Sequence, residues 1–324
     1  MTYERASLGR LALTMSTAGA LLLTGACSTG NEPAASSGGQ TAAGGKCVIG
    51  MTQINQTAAF FTQMNEGAQE AAKSAGCELN IANANNDSAK QSSDIENFVT
   101  QGVSGIIVVA IDVNGVLPAV KAARNKGIKV VAIDAKLEEG SVETFVGVDN
   151  EKAGKEAADW AIQHGLVKGK KYGVVDAKNS FIQNQREDSF RKAADAGGAV
   201  YTQSVSGDNV QEKAATAAQN LVTAVPNLDF VYTTGEPATV GATSALGASS
   251  KTKIIGWDLT KEVIAGIDSG VVTAVVQQNP RQEGVEAVNE LKAILGGATP
   301  KGFIDVPITI VTKDNVETYK AIFP

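Results

Sequence analysis

The sequence predicts an α/β protein built on two parallel sheets, and three observations carry that prediction. From residue 46 onward, short apolar runs alternate with longer amphipathic ones, the pattern of strand–helix repeats joined by right-handed crossovers. Runs such as Gly105–Ile111 and Lys129–Asp134 are apolar at successive positions, as strands covered on both faces must be. The chain also holds ten strand candidates in 324 residues. That is wide for one twisted sheet, and the length is about twice the ~150 residues of a single domain.

Strands are predicted over 47–54, 77–82, 105–111, 129–134 and 144–148, then over 171–176, 199–205, 228–233, 253–258 and 272–277, with a final extended run at 303–311. Helices fill the gaps. In 60–75, Phe61, Met64, Ala68, Ala71 and Ala75 recur at helical spacing and Gly76 offers a stop. The helix 88–101 opens on an Asp87-Ser88 cap and turns Ile95, Phe98 and Val99 inward. Similar patterns cover 114–126, 151–165, 181–196, 209–224, 237–248, 260–269 and 281–295. Asp149-Asn150 reads as the first crossover between halves.

Composition narrows the function. Hydrophobic residues make up 43% and charged residues 19%, which suits a folded globular chain. The net charge is −6 with no basic run, which argues against nucleic acid as a partner, because phosphate binding needs a concentrated basic footprint. The single histidine, His164, and three cysteines leave almost nothing for a zinc centre. No metal or cofactor is expected. No G-x-G-x-x-G follows a strand, and neither a Walker loop nor a G-x-S-x-G elbow is present. His164 sits beside Gly165 at a helix end, a solvated position. The chain reads as a binding protein and not as an enzyme.

Residues 1–26 read as a signal peptide: Arg5 and Arg10 precede the uncharged run Leu11–Leu23, too short for the ~20 residues of a membrane span. Leu23-Thr24-Gly25-Ala26-Cys27 resembles the bacterial lipoprotein box, with Thr24 where an aliphatic residue is usual; ordinary cleavage that leaves Cys27 incidental is the alternative. The resemblance implies lipidation at Cys27, and the small, polar, glycine-rich residues 27–45 read as a flexible tether. The body is then extracytoplasmic and touches the membrane through its anchor only. In that oxidising setting, Cys47 and Cys77 open the first two strands. Neighbouring parallel strands lie ~4.8 Å apart, so a Cys47–Cys77 bridge is favoured over two buried thiols.

Ligands of open parallel sheets bind beyond the carboxyl ends of the strands. Those positions carry Gln53, Asn55 and the Phe60-Phe61 pair after the first strand, then Asp112 and Asp134. In the second half they carry Asp176, Glu236, Trp257-Asp258 and Gln277-Gln278, with Arg186 early in the helix that follows Asp176. Planar carboxylate, amide and guanidinium groups beside flat rings suit a neutral polyhydroxy ligand. Any single Asp or Asn there can equally be a helix cap.

With these residues in view, the chain from 46 to about 312 resembles the ribose-binding-protein-like branch of type I periplasmic substrate-binding proteins. The motifs are Phe60-Phe61 with Gly67-Ala68-Gln69, Asn86-Asp87 through Gln91 to Gln101-Gly102-Val103, Val130-Val131-Ala132-Ile133-Asp134, Val148-Asp149-Asn150, Gly256-Trp257-Asp258 and Gln278-Asn279-Pro280. The resemblance implies two Rossmann-like lobes with parallel sheets joined by a three-stranded hinge, with crossovers near Asp149-Asn150, Gln278-Asn279 and Ile308-Thr309. It implies an N-terminal lobe of 46–149 plus 280–308 and a C-terminal lobe of 150–279 plus 309–324. It assigns ring stacking to Phe60 and Phe61, and hydroxyl contacts to Asp134, Arg186, Asp258 and Gln278. Gln53, Asn55, Asp112, Trp257 and Glu236 are further candidates from their strand-end positions. The implied activity is capture of a pentose, hexose or polyol by a monomeric receptor that hands it to the permease of an ABC importer. A receptor for a chemotaxis or sensor-kinase system is the alternative within the class, and an exported hydrolase the alternative outside it.

Four positions depart from the pattern. Ala58 stands where Asn is frequent, Ala135 (with Lys136 next) where Arg follows the fourth-strand Asp, and Gly235 where Asn is usual; no aromatic stands near Gly207. The losses leave room for a ligand other than ribose, such as an acyclic polyol.

Overall fold

The structure, a computed structural model, describes residues 46–56 and 58–323. The predicted signal peptide, Cys27 and tether lie outside the described residues. The chain order is β1 (Cys47–Gln53), α1 (Ala59–Ser74), β2 (Cys77–Asn83), α2 (Ser88–Gln101), β3 (Gly105–Val108), α3 (Leu117–Asn125), β4 (Lys129–Ile133) and β5 (Thr144–Gly147). It continues with α4 (Asn150–Gln163), β6 (Lys171–Asp176), α5 (Phe181–Ala196), β7 (Val200–Ser206), α6 (Gln211–Ala224), β8 (Phe230–Thr233) and α7 (Glu236–Leu246). Then come β9 (Lys253–Trp257), α8 (Lys261–Ser269), β10 (Val272–Gln277), α9 (Pro280–Leu295), β11 (Gly302–Asp305), β12 (Thr309–Val311) and a short 3-10 turn.

Two six-stranded sheets result, ordered β11-β5-β4-β3-β1-β2 and β12-β10-β9-β8-β6-β7. Neighbouring strands run parallel except β12, which runs antiparallel to β10. Their apolar runs are filled on both faces. In the first sheet Ile107, Val131 and Ile133 pack under α1 and α9, while Ile106, Val108 and Val130 pack under α2 and α3. In the second, α4 and α5 cover Tyr172, Val174 and Tyr232, while Val175 and Val231 face α6, α7 and α8. Burial of both faces is what a two-sided α/β layer requires.

The chain passes between the sheets three times: after β5, since α4 packs on the second sheet; after β10, since α9 returns to the first; and between β11 and β12. The predicted run at 303–311 is therefore two strands in two sheets, split around Pro307. The third strand ends at Val108, short of the expected Ile111, because Gln91 takes over its ladder: its side chain donates to the Val109 carbonyl and accepts from the Ile111 N–H, both at 2.8 Å. The following helix begins at Leu117 instead of 114 because the Asp112 carboxylate accepts the Asn114 N–H in a turn of its own. Cys47 and Cys77 are level in the β1–β2 register, and their sulfurs are bonded.

Two glycines set the helices that carry the site. A Cβ at Gly284 would strike the Met64 carbonyl, so the first turn of α9 lies directly on α1. A Cβ at Gly154 would strike the Arg186 carbonyl, so α4 presses the backbone that bears Arg186.

Candidate functional site

The carboxyl ends of both sheets converge on Arg186. Its side chain, 3% exposed on α5, is held on every side. Nε donates to Asn150 Oδ1 at 2.7 Å, one terminal nitrogen to the Thr234 carbonyl at 3.2 Å and the other to Gln278 Oε1 at 3.4 Å. Its flat face lies 3.7 Å over the Trp257 ring. Trp257 is itself fixed, because its indole N–H donates to the Tyr232 hydroxyl at 2.7 Å. Gln278 continues the network by donating to Asp258 Oδ1 at 2.9 Å.

Asp134 follows β4 and Asp258 follows β9, each with a left-handed backbone at φ 63° and φ 61°. Asp tolerates that conformation better than most residues. It turns the chain sharply at the end of each strand. Burial pushes the Asp134 carboxyl up to about 6, with Arg186 opposing and Asp258 adding to the rise. Burial also raises Asp258, against Arg186 and Gln278. The Arg186 guanidinium is lowered by burial and held up by Asp258, Tyr232, Asp134 and Glu283. Arg186 thus couples acids from both sheets.

Two cavities open beside this centre. One of about 940 Å³ is lined by Asp134, Asp112, Lys136, Phe145, Asn150 and Phe181, among others. The other, of about 280 Å³, is lined by Phe60, Gln63, Glu236, Asp258, Thr260 and Pro280, among others. Asp134 lines the larger opening and Asp258 the smaller, and both carboxyls act on the Arg186 guanidinium. The volumes suit small molecules.

Among the sequence candidates, the structure brings Asp134, Arg186, Asp258 and Gln278 together. Phe60 lines the smaller cavity beside Asp258 and meets Phe61 edge-on, ring centroids 5.3 Å apart. Phe61 leans on the core of the first sheet. Glu236 is exposed on the same cavity wall as Phe60. Trp257, expected as a cleft wall, is 0% exposed beneath Arg186, so it supports the guanidinium instead of lining the opening. Gln53 turns away as well: its amide donates to Asn65 Oδ1 at 3.0 Å and accepts from the Ile54 N–H, which ties β1 to α1. Asn55 accepts the Ala58 N–H at 3.0 Å at the entry to α1, and Asp112 stands exposed at the rim of the larger cavity. Asp149 caps α4 by accepting the Lys152 N–H at 3.0 Å.

Two residues of the cluster were not singled out as ligand candidates. Asn150 holds Arg186 from the first crossover; its signal was its place just beyond the carboxyl end of β5. Glu283, 0% exposed in the first turn of α9, senses Asp134, Asp258 and Arg186. An acid at a helix N-terminus reads in sequence as a partner of the helix dipole, which hid it.

Two α/β lobes with parallel sheets, crossed three times by the chain, with a polar centre between strand ends, define the periplasmic binding protein class. The periplasmic binding protein domain family matches residues 49–299, and the chain belongs to it. The ribose import binding protein RbsB of Bacillus subtilis (strain 168) is 32% identical over 267 residues, 82% of this chain and 87% of that protein. The D-ribose/D-allose-binding protein of Pseudomonas aeruginosa is 26% identical over 271 residues, 78% of this chain and 85% of that one. In solved structures, the periplasmic ribose ABC transporter from Conexibacter woesei DSM 14684 superposes with a TM-score of 0.80 at 23% identity, covering 87% of this chain and 97% of that one. The family is one of solute-binding proteins and not of enzymes.

Proposed function

We propose that the chain is the extracytoplasmic solute-binding protein of a sugar ABC importer, and that it takes a monosaccharide or sugar alcohol between its two lobes. The observation that carries the reading is Arg186, desolvated, held by Asn150, Thr234 and Gln278, and acted on by the carboxyls that follow β4 and β9. Hydroxyl groups are the natural partners of such a set, since each can donate to a carboxylate and accept from an amide or guanidinium. Phe60 covers the C–H side of the ligand from the smaller cavity. Contacts drawn from both lobes favour a closed state, so affinity arises from differential binding to that state, and the closed form is what the permease receives.

The hinge lies at the three passages of the chain, which divides it into lobes of 46–149 plus 280–308 and 150–279 plus 309–324. The protein acts as a monomer. Residues 1–26 direct export, Cys27 carries the lipid and residues 27–45 tether the body to the outer face of the membrane. Among the described residues, no helix is long and apolar enough to cross a membrane. The missing side chains at Ala58, Ala135 and Gly235 favour an acyclic polyol over ribose.

A thermal-shift screen of the protein against pentoses, hexoses and C4–C6 polyols tests this. A ligand at a hundred times its Kd adds ~2.7 kcal/mol to the stability of the folded state. A rise in melting temperature with one of these classes is the expected result; no response to any of them sinks the proposal. Tight ribose binding without response to tetritols or pentitols would remove the polyol preference alone.

A further inference from the structure

Glu283 follows Gln278 across the second passage between lobes, in the first turn of α9. It is 0% exposed, and among the described residues neither carboxylate oxygen has a hydrogen-bond partner. Buried polar groups are nearly always satisfied, so an exception calls for a reason. Its place is firm: Gly284 beside it holds α9 against the Met64 backbone, and Pro280 and Asn279 open the helix just before it. The charged groups it senses are Asp134 after β4, Asp258 after β9 and Arg186 on α5. Elsewhere on α9, Arg281 pairs with Glu66 and Glu70 of α1, and Glu290 pairs with Thr144 of β5. Among the described residues Arg186 is therefore the only cation in its charged surroundings, and that guanidinium already donates to Asn150, Thr234 and Gln278. Among the described residues, no group of three or more His, Cys, Asp or Glu is placed to hold a metal ion.

We infer that Glu283 is a further ligand-binding and specificity-determining residue of this cleft, whose carboxyl takes a hydroxyl group of a small neutral polyol on the α9 side, between Asp134 and Asp258. This rests on the polyhydroxy-ligand reading above. Burial, with Asp134 and Asp258 adding to it against Arg186, pushes the Glu283 carboxyl well above the usual carboxylate range. The protonated acid offers one donor and one acceptor, the complement of an alcohol. A ligand carrying a methyl group there would leave both unpaired, and sites built around a hydroxyl reject such analogues strongly.

Calorimetry and thermal shift on the full chain, on Glu283→Gln and on Glu283→Leu, from pH 5 to 8, test the inference. The probes are the tetritol or pentitol that stabilises the wild type best, its terminal-deoxy analogue and its terminal-amino analogue. Glu283→Gln, which keeps a donor and an acceptor, is expected to bind the polyol within about threefold of wild type, and Glu283→Leu about tenfold or more weakly. Glu283→Leu is also expected to melt higher than wild type without ligand and to lose the discrimination against the deoxy analogue, a split that a purely structural role would not give. Wild-type affinity should fall as pH rises and the acid ionises, and the Glu283→Gln profile should be flatter. Equal polyol affinity in Glu283→Leu and wild type overturns the inference and leaves the proposed function standing. A wild-type preference for the amino analogue overturns it too. If Glu283→Leu fails to fold, parallel pH profiles for Glu283→Gln and wild type overturn it. A wild type that answers no polyol or sugar brings down the proposed function, and this inference with it.

Discussion

Arg186 and Glu187 are neighbours on α5, both essentially buried, yet they belong to two charge clusters of opposite design. Glu187 faces the edge of the second sheet. Lys178 reaches it at 2.6 Å and Asp176 at 3.0 Å, Arg191 reaches Glu187 at 3.4 Å, and the Ser204 hydroxyl donates to it at 2.5 Å. Arg191 in turn lies 3.7 Å over Tyr201. Two acids meet two cations: although burial raises the Glu187 carboxyl, Lys178, Ser204 and Arg191 outweigh it and leave it below the usual range, whereas burial, with Glu187 adding to it against Lys178, keeps the Asp176 carboxyl raised. Arg186 is buried among the strand ends of the two sheets, where Asp134, Asp258 and Glu283 act on a single guanidinium and all three carboxyls are raised, by burial first. The edge cluster matches its acids and cations in number and holds β6, β7 and α5 together. The cleft cluster is left unbalanced, and an unbalanced, desolvated set of donors and acceptors is what a ligand can complete.

The comparison breaks most visibly if the balanced side is disturbed. Lys178→Met leaves Asp176 and Glu187, 1% and 0% exposed, facing each other with Arg191 alone nearby. Removing one partner from a buried ion pair costs ~3–5 kcal/mol, and the lower end applies because Lys178 is 56% exposed. Denaturant unfolding should show a loss of about 3 kcal/mol with ligand affinity unchanged. A variant of wild-type stability would mean that solvent already screens this cluster, and the contrast with the cleft would fail.

On the cleft side the effect should appear in binding. Arg186→Ala removes the donor shared by Asn150, Thr234 and Gln278 and uncovers Trp257. A charge-assisted contact is worth ~1.5–3 kcal/mol, so affinity should fall by about ten- to a hundredfold. Titration calorimetry with the polyol or sugar found in the screen reads it directly. Unchanged affinity would take Arg186 out of the site and leave it a buried structural hub like Glu187.

The difference between the clusters also shows what the sequence could and could not disclose. The strand–helix alternation was legible in its order, because two-sided burial writes itself as apolar runs such as Ile106–Val108, and a cap such as Asp87 marks where a helix opens; the ends of β3, α3 and the 303–311 run were not, because side chains and a change of sheet set them. Asp134, Asp258, Gln278 and Arg186 were legible as a group because strand ends form a class of position. Trp257 had the right address and the wrong orientation, since adjacent residues of a strand face opposite ways and period alone does not say which face a flanking ring takes. Gln53 failed for a similar reason: a buried amide that ties β1 to α1 looks in sequence like one that awaits a hydroxyl. Glu283 was hidden because its carboxyl is meaningful only through neighbours brought in from β4, β9 and α5, and no spacing within α9 records them.

The finest distinction lies in how the two clusters answer to pH. Asp134 titrates at about 6 in the folded protein, against ~3.9 for a free aspartate. Between those values the folded chain holds a proton that the unfolded chain has lost. The contribution of Asp134 is thus present in acid and is lost as pH rises from about 4 to about 6. Asp134→Asn imitates the protonated acid at every pH. Its stability advantage over wild type, measured without ligand, should be small at about pH 4 and grow to on the order of 3 kcal/mol by about pH 7. Glu187 should behave with the opposite sign, because its lowered carboxyl stabilises the fold above the unfolded value and loses that contribution in acid. Glu187→Gln should therefore be weaker than wild type at neutral pH and draw level with it in acid. Denaturant melts of the two variants at pH 4.5 and 7 decide the matter: if both differences move in the same direction with pH, the clusters are alike and the charge imbalance of the cleft is not what sets it apart.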